Sequence, residues 1–176
     1  MNSYLDVVAA YDGQADMLAE RYEAVSSERM LAEVLPIIPD GSDSKLALDV
    51  GAGTGRDAAW LTSRGYEVVA AEPATGMRRI AAEKHRNHGV RWVNDTLPSL
   101  DQIHGLGLAY DLVLLSAVWQ HVAPADRPRA VRKLATLLKP GGVLVMTLRH
   151  GPAPSGMQMH PTSTAEIEGL ARAHGL

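Results

Sequence analysis

The chain has 176 residues, 46% of them hydrophobic, with a formal net charge of −3 and no cysteine. That size and balance fit one globular domain and exclude a disordered chain or a broadly nucleic-acid-binding surface, which would leave a basic footprint. Without cysteine there is no disulfide framework, thiolate nucleophile or cysteine-ligated zinc. No apolar run approaches the roughly 20 residues that span a bilayer.

Residues 1–6 lack the basic and apolar regions of a signal peptide, so a soluble cytoplasmic protein is expected. Residues 3–36 carry helical patterning, with Ala15, Leu18, Ala19, Tyr22 and then Met30, Leu31, Val34, Leu35 at three- and four-residue spacings. Residues 36–42, with two prolines and a glycine, read as a linker. From Lys45 the pattern alternates between strands and helices. Strands are expected at 46–50, 66–71, 90–93, 112–115 and 143–148. Helices are expected at 56–64, 75–85 and 125–138, the last stopping before Pro140-Gly141-Gly142. A further helix is expected at 164–174.

Several strands are unbroken apolar runs, as parallel strands covered on both faces tend to be. The alternation predicts an α/β fold: a doubly wound, mostly parallel sheet with an N-terminal helical lid. Residues 1–176 then form a single domain: lid 1–40, ligand-binding core 45–150, and C-terminal loop and helix 151–176. In such sheets ligands lie beyond the carboxyl ends of the strands, where strand order reverses.

The residues at those ends are informative. Strand one closes on Asp49-Val50-Gly51-Ala52-Gly53-Thr54-Gly55, and a helix follows at once. A turn nearly free of side chains lets a ligand lie on backbone, and the helix N-terminus favours an anionic group. The dinucleotide fingerprint G-x-G-x-x-G would place its third glycine at position 56, which is Arg56. A nicotinamide dehydrogenase is therefore disfavoured.

The run acidic-x-Gly-x-Gly-x-Gly from Asp49 to Gly55 resembles motif I of the class I S-adenosylmethionine-dependent methyltransferases, a Rossmann-like fold. The likeness extends over residues 45–150 and implies S-adenosylmethionine as cofactor, S-adenosylhomocysteine as product, and a methyltransferase acting by in-line displacement. It implies a cofactor site of Asp49, Gly51, Ala52, Gly53 and Gly55, then Glu72 and Pro73, 17 positions past Gly55, where a carboxylate accepts from both ribose hydroxyls. Met77 would pack on the adenine or be plain core; Asn94, Asp95 and Thr96 would form the adenine end, with Asp95 accepting from its amino group, or Asn94-Asp95 would simply make a turn; and Ser116 opens the active-site floor.

Tyr11, Tyr22, Trp119, His121 and Arg149 are candidate substrate contacts, with Tyr4 and residues 157–160 also at the mouth. His121 and His150 are candidate catalytic bases, each with an alternative reading as a structural histidine bonded to backbone. The seven histidines show no metal-binding spacing, so no metal is expected. Without cysteine, the thiolate route to C5 of a pyrimidine is closed. The Asn/Asp-Pro-Pro-aromatic tetrapeptide of enzymes that methylate base amino groups is replaced by Ser116-Ala117-Val118-Trp119, so a small-molecule acceptor is expected rather than nucleic acid or membrane.

The resemblance also implies two more strands beside strand five, and the sequence ends where they would begin. The edge of strand 143–148 would then be open, which predicts self-association through it. It also keeps in view a second reading, a non-catalytic cofactor-binding regulatory or partner protein.

Overall fold

The computed structural model describes residues 4–153 and 157–176. Five parallel strands form one sheet in the order β3-β2-β1-β4-β5. These are β1 (Leu46–Val50), β2 (Glu67–Ala71), β3 (Arg91–Val93), β4 (Tyr110–Ser116) and β5 (Leu138–Thr147). The chain winds outward from β1 through β2 to β3, then returns to β1's other side for β4 and β5. The reversal leaves a crevice beyond the ends of β1 and β4.

Residues alternate between the faces of β4, and the apolar run serves both. Val113 and Leu115 join Leu48, Val50 and Trp119 in one buried cluster. That cluster is roofed by Ala130, Val131, Leu134 and Leu137 of α7 (Arg127–Leu137). Leu112 and Leu114 face the other way, with Ala58 and Leu61 of α4 (Arg56–Ser63). The long helix α8 (Thr164–Ala173) packs on the α7 side, where Glu166 meets the buried Arg127 at 2.6 Å.

The N-terminal region forms α1 (Tyr4–Gly13), α2 (Ala15–Glu23) and α3 (Ser27–Met30). Ala15, Leu18 and Ala19 pack on Met77 and Ile80 of α5 (Thr75–Lys84), a third buried cluster that seats this lid beside the crevice. Burying a side chain such as Leu18 is worth roughly 1.5–3 kcal/mol. Gly76 allows the approach: its N–H donates to Asp12 Oδ1 at 2.6 Å, and a Cβ there would lie 3.0 Å from the Cβ of Ala15.

Two expectations are corrected. The helix ends at Leu137, before Pro140-Gly141-Gly142, but strand five starts at Leu138 rather than at 143, so these three residues lie inside β5 as a bulge. Tyr110 pairs with Leu138 and Leu112 with Val143, so residues 139–142 face Asp111 alone, with Gly141 at φ 78°. A short helix, α6 (Asp101–Gly105), follows β3 where no helix is expected from sequence. At five residues it is too short for a periodic pattern.

Candidate functional site

A cavity of about 510 Å³ occupies the crevice between the strand ends and the lid. Its floor is Asp49, Val50 and the glycine turn; Glu72, Pro73 and Ala74 form one side, and Ser116, Ala117 and Val118 another. Val7, Val8, Tyr11 and Tyr22 close it from the lid, and His121, Leu148 and Arg149 stand at the β4–β5 end.

The three glycines at the turn have positive φ for different reasons. At Gly51, φ 70°, an added Cβ would lie 2.6 Å from Cγ2 of Val118. At Gly55, φ 84°, it would lie 3.0 Å from the Trp92 ring. Both are packing constraints. At Gly53, φ 55°, no protein atom lies within 4 Å of that position, and the residue lines the cavity. Gly53 therefore leaves room that the protein itself does not fill.

Glu72 is 6% exposed, and its carboxylate accepts from Gly53 N–H and Ala74 N–H, both at 2.8 Å. Burial pushes its pKa up, and the two backbone donors oppose that shift. An ionised carboxylate has about four acceptor sites, so Glu72 can receive further donors from the cavity side. Asp49 is 1% exposed, and its Oδ2 has no hydrogen-bond partner among the described residues. Burial raises its pKa well above the usual carboxylate range, and the nearby Asp57 charge adds to this. Such an orphaned acceptor on a cavity floor calls for a donor or a cation from a ligand.

Behind this floor lies a network not foreseen from the sequence. Arg56 meets Asp57 in two bonds of 2.9 Å and donates to the carbonyls of Tyr22 and Val25. Ser27 donates to Asp57 at 2.6 Å, and Thr54 donates to Glu23. The lid is thus bolted to the glycine turn. A non-glycine residue at position 56 was the available signal; its role in holding the lid was not.

At the mouth, Tyr11 Oη lies 3.0 Å from His121 Nε2, and His121 Nδ1 lies 3.1 Å from the carbonyl of Gln158. A carbonyl only accepts, so Nδ1 carries the proton, Nε2 is the acceptor, and the Tyr11 hydroxyl donates to it. Burial lowers the His121 pKa, with the Gln158 bond opposing. Burial raises that of Tyr11, with Tyr22 adding to the effect. The neutral pair is favoured on both counts.

The expected site residues divide as follows. Asp49, Gly51, Ala52, Gly53, Glu72, Pro73, Thr96 and Ser116 line the cavity, as do Tyr11, Tyr22, His121 and Arg149. Gly55 lies behind the wall, against Trp92. Met77 is fully buried in the lid cluster rather than facing the cavity, because α1 and α2 cover it. Trp119 is likewise core, packed among Val122 and the α7 residues instead of at the mouth. Asn94 is exposed, and its carbonyl accepts from Gln102. Asp95 accepts from Thr96 N–H and Ile103 N–H, both at 2.8 Å, which ties down α6 and places it behind Thr96. His150 is exposed and outside the cavity wall, so it is not placed as a base. Met157 joins the lid cluster, and His160 N–H donates to the Gln120 carbonyl at 2.8 Å. The side chain of Tyr4 lies outside the described residues. No group of metal-ligating side chains occurs among the described residues, nor any helix long and apolar enough to cross a membrane.

Comparison with known proteins gives this architecture its family. A family model described as a methyltransferase domain matches residues 48–146. A demethylmenaquinone methyltransferase from Thermobifida fusca (strain YX) is 33% identical over 146 residues, covering 80% of this chain and 60% of that protein. The chain therefore spans about 60% of the length of that curated relative, and a similar share of an uncharacterized methyltransferase from Alkaliphilus oremlandii. Among solved structures, the amino pentose methyltransferase CalS10 of Micromonospora echinaspora, with S-adenosylmethionine bound, superposes with a TM-score of 0.61. It is 29% identical, covering 79% of this chain and 58% of that one. The 1,6-didemethyltoxoflavin-N1-methyltransferase of Burkholderia thailandensis, at 19% identity and a TM-score of 0.71, shares the fold over 97% of this chain and 76% of its own. This chain belongs to the methyltransferase domain family, with the Rossmann-like sheet of the class I S-adenosylmethionine-dependent enzymes.

Proposed function

We propose that this protein transfers the methyl group of S-adenosylmethionine to a small-molecule acceptor. One observation carries the reading: a single cavity joins Asp49, Gly53 and Glu72 to the Tyr11–His121 pair. The residues present suit the cofactor. Gly53 leaves open space beside backbone, Asp49 Oδ2 lacks a donor that an ammonium group would supply, and Glu72 has acceptor sites to spare for ribose hydroxyls. S-adenosylmethionine supplies a methyl already activated on a sulfonium sulfur, so the acceptor's lone pair forms the new bond while the carbon–sulfur pair stays on sulfur.

The protein's share is positioning and proton handling. Holding an acceptor in line can remove on the order of 7–11 kcal/mol of barrier. Tyr11 donates to His121, which leaves its oxygen lone pairs free to accept from an acceptor N–H or O–H. A proton released there passes to Tyr11 oxygen as the Tyr11 proton moves to His121 Nε2. Val7, Val8 and Leu148 keep that end apolar, which favours a reaction that disperses charge. The relatives named above are named for demethylmenaquinone, an amino pentose and 1,6-didemethyltoxoflavin. Those small acceptors support the same class here, as does a cavity of about 510 Å³.

The test is calorimetry with S-adenosylhomocysteine. Glu72→Ala should weaken binding by about 1–3 kcal/mol, the cost of leaving buried donors unpaired. Unchanged affinity would remove Glu72 from the site, and no binding by the native protein would remove the cofactor.

A further inference from the structure

Two arginines line the cavity, and they differ in their pairing. Arg56 is committed to Asp57 by two bonds of 2.9 Å. Arg149, directly beyond β5, makes one long contact of 3.5 Å with the Pro152 carbonyl, and no carboxylate pairs with it among the described residues. The carboxylates of the wall, Asp49, Glu72 and Asp57, lie near the end of β1, directly after β2 and in the first turn of α4. The order β2-β1-β4-β5 puts three strand spacings, roughly 14 Å, between the ends that carry Glu72 and Arg149. The cavity is therefore acidic where the nucleoside is proposed to lie and cationic where the acceptor must enter.

A second observation falls at the same end. Gln120 is 2% exposed and lines the cavity. Its Nε2 donates to the Ala117 carbonyl, which fixes the amide orientation, and its Oε1 has no partner among the described residues. A buried acceptor left open after β4, the strand next to the one that carries Arg149, is costly unless a ligand supplies the missing donor.

We infer that the acceptor is a small oxyanion, a carboxylate or a phosphate, held by Arg149, with an N–H or O–H of the same molecule against Gln120 Oε1. This rests on the methyl-transfer reading and adds the chemical class of its acceptor. The planar guanidinium fork matches either oxyanion with two parallel bonds. The apolar Val7, Val8 and Leu148 limit the remainder of the molecule to a short carbon frame.

The test titrates the protein, already saturated with S-adenosylhomocysteine, with acetate, inorganic phosphate, propionate and β-alanine, followed by calorimetry. Acetate or phosphate is expected to bind, and the preferred one tells carboxylate from phosphate. Arg149→Ala should weaken that anion by roughly tenfold or more, and Arg149→Lys should recover part of the loss. β-Alanine should bind more tightly than propionate, because its ammonium supplies the donor that Gln120 lacks. The affinity of Arg149→Ala for S-adenosylhomocysteine, read in the same experiment, reports that the variant is folded. Equal anion affinity in native protein and Arg149→Ala, or no anion binding to a protein that holds S-adenosylhomocysteine, overturns the inference. A β-alanine affinity no better than propionate's overturns its Gln120 half. Failure of S-adenosylhomocysteine to bind the native protein is a different result: it sinks the cofactor reading, and this inference with it.

Discussion

The hydroxyl of Tyr11 reaches Nε2 of His121 at 3.0 Å, joining the lid to the segment after β4 across 110 positions of sequence. Two further bonds hold that segment in place, His121 Nδ1 to the Gln158 carbonyl and His160 N–H to the Gln120 carbonyl. Lid, sheet end and C-terminal loop therefore meet at one imidazole. In the proposed reaction, an acceptor atom entering the cavity would meet a phenol whose proton already has a destination.

Burial lowers the His121 pKa, so its free base persists to a lower pH than the ordinary histidine value of about 6.5. The acid limb of kcat/KM for methyl transfer is expected below that value and should vanish in His121→Asn. The loss of rate is expected at about 10²–10⁴-fold, the usual range for general acid–base catalysis. The same shift has a stability consequence. A histidine with a depressed folded pKa contributes stability above its unfolded pKa, and the contribution is lost as pH falls toward the folded value. Thermal melts should thus show the native protein losing more stability than His121→Asn below about pH 6.5. Parallel pH profiles for the two proteins would remove the imidazole from the chemistry.

Gly51 and Gly53 should respond differently to alanine. Gly51→Ala places a Cβ 2.6 Å from Val118 at φ 70°, so overlap and backbone strain add. The strain alone is roughly 1–2 kcal/mol, with overpacking adding about 1–3 kcal/mol. Gly53→Ala meets no protein atom within 4 Å, so it should bear only the strain and remain folded. Its methyl would occupy cavity space, and S-adenosylhomocysteine binding should fall sharply. Denaturant titration and calorimetry on both variants check the contrast; a Gly53→Ala protein with native affinity would show that no ligand lies against this turn.

Much of the sheet is legible because its signals are local. β1 was readable to the residue from an apolar run ending in a glycine turn, and β2, β3 and α5 to within a residue at each end. The candidate cavity is most legible where backbone chemistry marks it, as at Asp49, Gly53 and Glu72, which all line it. Met77 and Trp119 look the same in sequence whether they face a ligand or a core, and covering helices made them core. Asp95 sits where a ligand contact is expected, yet its carboxylate ties down α6, which has no periodicity to reveal it. Ala117, at φ 54°, turns the chain to aim Val118 over Gly51, and alanine gives no hint of a left-handed residue.

Asp49 should trade stability against binding. Burial raises its pKa, and Oδ2 is without a donor, so ionising it in the empty protein is unfavourable. A carboxyl with a raised folded pKa contributes stability below its unfolded value, about 3.8, and loses it as pH rises through the folded value. Asp49→Asn removes the buried charge and should raise the melting temperature of the ligand-free protein while weakening S-adenosylhomocysteine. Melting curves with and without ligand check both halves; a variant that melts lower in both states would mark Asp49 as structural.

The outer edge of β5 is the remaining exposed consequence of the topology. Among the described residues β5 pairs with β4 alone and ends the sheet order. Val143, Leu144 and Met146 are half-buried on it, without the charged or proline residues that usually guard an edge; Pro140 and Gly141 interrupt only its first half. We propose that two copies pair through residues 143–147. Sedimentation should then show a concentration-dependent dimer, and Leu144→Lys, whose charge opposes pairing, should shift it toward monomer. A native protein that sediments as a monomer at every concentration would overturn the pairing.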